Sequence, residues 1–420
     1  MRGILPEMKT LFLFTKTFPF GSGEQYVENE LPVLSVKYDK IFIYPTDWFS
    51  KDTNHNRKIP SNVEVLHFNS QLPQYKNTFS DYFSALKLIL TELLHSKSVF
   101  SELKRIKYLF SIAIHQLYTA KFFGDYLKKN HRRDICFFYG YWNHGSSILL
   151  SILKKNKTIQ SFVTRAHSID LYYYDWTYYE FKVPPFEYIK FNSADKIFTV
   201  SKHAEEFFKK KYPYWENKVI SSYLGISDMG VNHCKSNIFT LVTCSNLSLN
   251  KRLLELAKAI KEVDFPLEWV HFGDGEQRKE IEEISNTLSL NKKITLSGNK
   301  LNEEIRNYMV SKPADLFVNL SIVEGLPVAI MEAISAGIPV IATHVYGNPE
   351  IAENNYTGFT IPVDFTTKML ADCITKIYSD KELQFKLRVN SREHYLMNFT
   401  AEKNYTAFSK ELSNYPNKIN

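Results

Sequence analysis

The chain has 420 residues, of which 44% are hydrophobic and 23% charged, with a formal net charge of +7. That length is too great for a single core and sets an expectation of two or three globular domains. The mild positive excess favours acidic partners without pointing to nucleic acid. Cys136, Cys234, Cys244 and Cys373 are scattered with no CxxC pair, which argues against a zinc or disulfide framework and fits a reducing compartment. No stretch approaches the ~18 consecutive apolar residues of a membrane span. The short LFLF run near the start reads as a buried strand rather than a secretory leader, so the expected location is the cytoplasm.

In chain order, Lys9–Thr15 is the first predicted strand. The turn FPFGSG follows, and its Gly21 and Gly23 could present backbone N–H groups to an anion or serve the turn alone. A helix is expected from Glu24, then a strand at KIFIYP and another at VEVLHF. From 78 to 130 the pattern becomes helical and basic. Phe83, Leu86, Leu90, Leu93 and Leu94, then Phe100, Leu103, Ile106, Leu109 and Phe110, recur at helical spacing. Lys87, Lys97, Lys104, Arg105, Lys107, Lys121, Lys128 and Lys129 lie among them. Two readings stand side by side: core-facing helices with a solvated basic face, or a surface that rests on anionic lipid.

DICFFYGYW is the next strand, ending in the aromatics Tyr139, Tyr141 and Trp142. TIQSFVTRAHSIDLYYYD is a strand running into Arg165, His167 and Asp170. Arg165 and Asp170 could pair with each other structurally, and His167 could be a hydrogen-bonded histidine at a strand end. DKIFTVSKHAEEFF is strand then helix with Ser201 as N-cap, and KVISSYLGI closes the first half. The polar stretch 227–237, SDMGVNHCKSN, reads as a linker. Beyond it, FTLVTCS, LEWVHFGDG, KITLSGN, DLFVNLS and PVIATHV alternate with three helical segments, the pattern of a doubly wound α/β domain. The first half alternates similarly around its helical insertion.

The most informative unit is Asp315–Ile351: strand DLFVNLS, loop IVEGL, helix VAIMEAISA opened by Pro327 and ended by Gly337, then strand PVIATHV. Ligands of parallel sheets bind beyond the strands' carboxyl ends, where helix N-termini favour phosphate. Gly325 lets the backbone approach a ligand closely. Glu324 stands at the mouth of that position and Glu332 about a turn and a half down the helix. Two anions beside a phosphate-friendly terminus suit sugar hydroxyls rather than phosphate; two solvated acids on an ordinary βαβ unit are the bland alternative.

EGLPVAIMEAISAGIPVIAT resembles the E-x7-E signature of glycosyltransferase family 4, and VHFGDGEQRKEIE, KITLSGNKLNEEIRNYMVSKPADLFVNLS and SLNKRLLELAKAI resemble its flanking segments. FPFGSGEQYVENEL, RAHSIDLY, FTVSKHA and YLGI in the first half resemble segments of bacterial members that build surface polysaccharides. The resemblance implies the GT-B fold, two Rossmann-like doubly wound domains facing across a cleft. The expected domains are 1–230 for the acceptor, with the basic insertion at about 78–130, and 231–395 for the nucleotide-sugar donor, followed by a C-terminal helix within 396–420 packing back toward the first domain.

The resemblance also implies roles. Glu332 would bind the donor ribose, and Glu324 the donor sugar, with Gly325 and Leu326 near the sugar and phosphates. Lys251, with Arg252, would neutralise the diphosphate, and Gly273 would lie in the donor site. Gly21 and Gly23 would face the donor phosphates, and His167 would lie near the anomeric carbon. Arg165, Asp170 and Tyr141 would stand on the acceptor side. One departure is Asn246, where family members often carry an arginine; it can hydrogen-bond but supplies no charge. The function implied is retaining transfer of a sugar from a UDP- or GDP-linked donor to a glycan or lipid-linked glycan acceptor. No cofactor or metal is expected, and an anionic membrane surface would be a further partner. The alternatives are a nucleotide-sugar epimerase, a glycan phosphorylase, or a non-catalytic, membrane-docked scaffold that binds nucleotide sugar.

Overall fold

The computed structural model describes residues 7–21, 23–47, 57–68, 78–95, 103–172 and 184–419. The chain divides into two compact units, Met1–Ser222 with Tyr405–Asn420, and Tyr223–Asn404. Both are parallel-sheet α/β structures, as the alternating pattern led us to expect.

In the first unit, β1 (Lys9–Thr15), β2 (Lys40–Pro45), β3 (Val63–Val65), β4 (Ile135–Gly140), β5 (Val163–Ala166), β6 (Lys196–Thr199) and β7 (Val219–Ser221) form one sheet in the order β3-β2-β1-β4-β5-β6-β7. Every pairing is parallel. The helices are α1 (Val27–Ser35), α2 (Phe79–His95), α3 (Leu103–Asn130), α4 (Gly145–Lys155), α5 (Ser168–Leu171), α6 (Glu187–Ser193) and α7 (Lys202–Lys211). Leu11–Phe14 are all buried, the signature of a strand covered on both faces. The expected N-cap is present: Ser201 Oγ accepts from the Ala204 N–H at 3.1 Å.

In the second unit, β8 (Phe239–Cys244), β9 (Leu267–Phe272), β10 (Lys292–Leu296), β11 (Leu316–Asn319), β12 (Val340–Thr343) and β13 (Gly358–Ile361) run in parallel in the order β10-β9-β8-β11-β12-β13. The helices here are α8 (Leu253–Glu262), α9 (Arg278–Ser285), α10 (Asn302–Ser311), α11 (Val328–Ser335), α12 (Asn348–Ile351), α13 (Thr367–Ser379) and α14 (Lys381–Asn398). A last helix, α15 (Ala401–Leu412), passes its residues from Tyr405 onward to the first unit. There Phe408 and Leu412 join the core of Leu11, Leu13, Tyr139 and Val163. In each unit the strand order reverses beside the central strand, β1 next to β4 and β8 next to β11, which makes those points the natural ligand crevices.

Three local expectations change. The helix expected from Glu24 begins at Val27, because Glu24 itself sits at φ +59° outside it. VEVLHF pairs as a strand only through Val65. The stretch 227–237 is bound into the second unit instead of linking the two. The Asn232 amide donates to the carbonyls of Met309 (2.6 Å) and Lys312 (2.8 Å), and Arg392 pairs with Asp228 at 2.6 Å. The division accordingly falls at Ser222/Tyr223, not after 230, and the chain returns to the first unit at Tyr405, not at 396.

Candidate functional site

The reversal point of the second unit gathers most of the residues singled out there. β8 ends at Cys244, and a short 3-10 turn, Leu249–Lys251, follows. β11 leads into the loop Leu320–Pro327, whose Ile322 N–H donates to the Asn250 carbonyl at 3.0 Å and fastens the two loops together. Across that seam Lys251 Nζ donates to Glu324 Oε1 at 2.6 Å, with both side chains partly exposed. Gly325 and Leu326 are buried, and among the described residues their backbone N–H groups meet no protein acceptor.

Glu332 lies on α11 and is buried; its Oε1 accepts from the Asn302 amide at 2.9 Å. Burial pushes its carboxyl above the usual range, and Asn302 and Arg306 pull the other way. Cys244 lies between the two parts of this site. Burial raises its thiol to about 12, the Glu332 carboxylate adds to the rise, and the Lys251 cation opposes it.

Three further residues were expected on the donor side. Arg252 turns away from Lys251: its guanidinium donates to the Val363 carbonyl and stacks on Phe365, 4.2 Å from the ring centre. Asn246 is exposed in the loop after β8. Gly273, at φ +130°, is where two loops close on each other. A Cβ there would fall 1.9 Å from the Ser245 carbonyl oxygen, and its N–H donates to Gly298. The missing side chain is what permits that close backbone approach.

At the reversal point of the first unit there is a cavity of about 420 Å3. It is lined by Lys16 and Thr17 after β1, Thr46 and Asp47 after β2, Trp142, His144 and Ser146 after β4, and by Glu24, Tyr26 and Tyr108. Gly23 is on its wall, and the loop just before the turn is closed by an internal carboxylate. The Glu24 carboxylate accepts from the N–H groups of Lys16 (2.9 Å), Thr17 (2.7 Å) and Phe18 (2.7 Å), and from Trp142 Nε1 at 2.6 Å. Arg57 donates to the carbonyls of Gly21 and Gly23. An internal anion therefore holds residues 16–18, ahead of the glycines expected to face a phosphate.

His167 does not line this cavity. Its ring packs on Trp142 (centroids 4.3 Å apart) and Tyr141 (5.1 Å), with Nε2 3.1 Å from the Tyr141 carbonyl. Burial, and then the Arg165 cation, lower its value to about 3, so Nε2–H donates and the ring stays neutral. Asp170 accepts from the backbone N–H groups of His167 (3.0 Å) and Asn143 (3.3 Å), and burial pushes it up to about 6.

Arg165 does not pair with Asp170, nor does it reach the cavity. It is fully buried, bonded to the Tyr139 hydroxyl (2.7 Å) and the Ser222 carbonyl (2.9 Å), paired with Glu30 at 3.4 Å, and stacked on Phe408. Tyr141 is buried as well. The cavity residues Lys16, Asp47, Tyr108 and His144 were not singled out from the sequence. For Lys16, Asp47 and His144 the usable signal was position, since polar residues shortly after strands β1, β2 and β4 flank the reversal point; Tyr108, on α3, gave no such signal.

The comparisons with known proteins agree with this layout. Residues 232–394 match the family of glycosyl transferases, group 1. A UDP-N-acetylglucosamine–peptide N-acetylglucosaminyltransferase GtfA subunit from Streptococcus agalactiae is 29% identical over 195 residues, 42% of this chain and 36% of that protein. The amylovoran biosynthesis glycosyltransferase AmsK of Erwinia amylovora is 26% identical over 198 residues, 38% of this chain and 48% of that protein. The chain thus spans less than half the length of either curated relative. Among solved structures, Anabaena Alr3699/HepE in complex with UDP and glucose aligns with a TM-score of 0.66 at 15% identity, over 97% of this chain and all of that one. Sucrose-phosphate synthase from Thermosynechococcus elongatus aligns at 0.71 and 15%, over 97% and 99%. At such identities the likeness is one of fold, the GT-B arrangement of two parallel-sheet α/β units.

Proposed function

We propose that the protein transfers a sugar from a nucleotide-diphosphate donor to a glycan or lipid-linked glycan acceptor in polysaccharide synthesis, with retention at the anomeric carbon and without a metal. The observation that carries this reading is the Lys251–Glu324 pair at the reversal point of the group 1 unit, beside the open N–H groups of Gly325 and Leu326. The cation faces the charge that develops on the departing diphosphate, the N–H groups at the start of α11 add to it, and Glu324 takes sugar hydroxyls. Glu332 receives the ribose, with Asn302 fixing one carboxyl oxygen in place. UDP is favoured as the leaving group because HepE and a pneumococcal GtfA are solved with UDP.

In the reaction the bond from the anomeric carbon to the diphosphate oxygen breaks. The acceptor hydroxyl bonds to the same face of that carbon, and its proton passes to the diphosphate. The cavity of the first unit suits an acceptor sugar, with Trp142 and Tyr108 as flat apolar walls and Asp47 as a hydroxyl acceptor. His167, neutral and packed on Trp142, contributes by fixing that wall and not by moving a proton. The test is to incubate the chain with UDP- and GDP-sugars, an acceptor glycan and a chelator, then follow nucleotide release and the anomeric configuration of the product. Release of nucleotide diphosphate with an α-linked product from an α-donor supports the reading. Epimerised donor, phosphate-dependent cleavage or inversion would overturn it.

A further inference from the structure

The helix α2 carries an apolar stripe on its outer side that no part of the described structure covers. Phe79, Phe83, Leu86, Leu90 and Leu94 are 88%, 68%, 51%, 58% and 80% exposed. At helical spacing these five fall within an arc of about 80° and run for about 22 Å. The opposite face is the one that folds the helix into the unit, through Ala85, Leu88 and Ile89.

The charges are sorted to match. Both acids of α2 point inward: Asp81 pairs with Lys121, and Glu92 accepts from the N–H groups of Tyr188 and Ile189, both at 3.1 Å, at the start of α6. What flanks the stripe is cationic. Lys87 is exposed on α2 and lies close enough to exposed Lys155 on α4 for the two charges to repel, and Lys107 is exposed on α3 between Ile106 and Tyr108. Tyr108 is also a wall of the first-unit cavity, so the stripe and the cavity belong to one helical hairpin.

We infer that this face docks on the surface of an anionic bilayer, with the stripe sunk between the headgroups and Lys87, Lys107 and Lys155 against lipid phosphates. A narrow apolar ridge on a helix whose exposed charge is cationic, and whose own acids both point inward, is the form of a helix lying in a membrane interface. Among the described residues no helix is long and apolar enough to cross, so the contact is a lateral one. Resting on the proposed transfer to a lipid-linked acceptor, the docked face holds the cavity close to the headgroups, where the glycan of such an acceptor begins.

The test is co-sedimentation of the full chain with vesicles of phosphatidylcholine, with and without phosphatidylglycerol, alongside the Phe83→Glu/Leu90→Glu double variant. The expected result is partition into the anionic vesicles only, weakened by salt, and at least ~10-fold lower for the double variant. Unfolding temperature and UDP binding should be unchanged, since neither side chain is in the core. Equal partition of both proteins, or none by the native chain, overturns the inference. So does a dimer that the double variant dissolves, which would assign the stripe to a second copy. Vesicle binding is read with no donor present. Partition without any transfer therefore sinks the functional reading alone, and transfer to a soluble acceptor without partition sinks the docking alone.

Discussion

Lys251 and Glu324 hold one another at 2.6 Å. In the proposed reaction, that would fix the cation in the site and leave Glu324 one oxygen for a sugar hydroxyl. Lys251→Met and Glu324→Ala should each lower kcat by about 10²–10³, whereas Arg252→Ala, engaged with Val363 and Phe365, should alter it by no more than about threefold. Steady-state kinetics decide, and equal losses from all three would show that Arg252 swings into the site. A second residue-scale expectation concerns pH. His144 is held near 3, by burial first and then by Lys190 and Lys16. Its unfolded value is about 6.5, so between those limits the unfolded chain binds more protons and stability rises with pH. In the His144→Gln variant the loss of stability below about pH 6.5 should be shallower by up to roughly 1.4 kcal/mol per pH unit. Asp170, raised to about 6, works in the opposite sense: its contribution is present below its unfolded value and disappears as pH rises through 6. Denaturant unfolding of His144→Gln and Asp170→Asn across that range separates them. Glu324 and Glu332 were legible in the sequence because a strand, a loop and a helix start fix where a side chain must point. Glu24 was not, since its carboxylate finds its donors only after α1 has folded back beside β1.

Two loops show how elements are locked. The Glu24 carboxylate closes the β1–α1 loop through three backbone N–H groups and the Trp142 indole. Glu24→Gln keeps the shape but weakens charge-assisted bonds at a buried site, and should cost about 2–4 kcal/mol, read as a lower unfolding midpoint with Trp142 fluorescence shifted. A midpoint within error of the native one would mean that the loop is held by Arg57 instead. Gly337, at φ +70°, ends α11 as its place before Pro339 suggested. The helices α2 and α3 were legible from their spacing, but not which way they face. Periodicity identified Phe83, Leu86, Leu90, Leu93 and Leu94 as one stripe, while the core is built by Ala85, Leu88 and Ile89 on the opposite face. A helix with two apolar stripes gives no sequence rule for choosing between them; only the packing of α3 and α6 against one side does. Lys97 lies outside the described residues, as do the side chains of Lys104 and Arg105.

At the scale of the whole molecule the alternation of strands and helices was enough to foresee two parallel sheets, because a parallel pair requires a crossover of that length. The ends of the units were not legible. The stretch 227–237 looks like a linker in composition, yet Asn232 and Asp228 bind it into the second unit. The division into two units makes a prediction for exchange. UDP should slow hydrogen exchange at the amides of the β11–α11 loop and the start of α11, and leave α2 and α3 at their free rates. Protection on α2 instead would move the nucleotide to the first unit.

The tail of the chain adds a constraint of another kind. Tyr405, Phe408 and Leu412 are buried in the first unit, and the Asn417 backbone pairs with Cys136 beside β4. The first unit therefore waits for residues that leave the ribosome after the second unit is complete. Domains made in order usually fold from the N-terminus; here the later half of the gene can be finished first, and Arg165 stays without its Phe408 cover until translation has passed both.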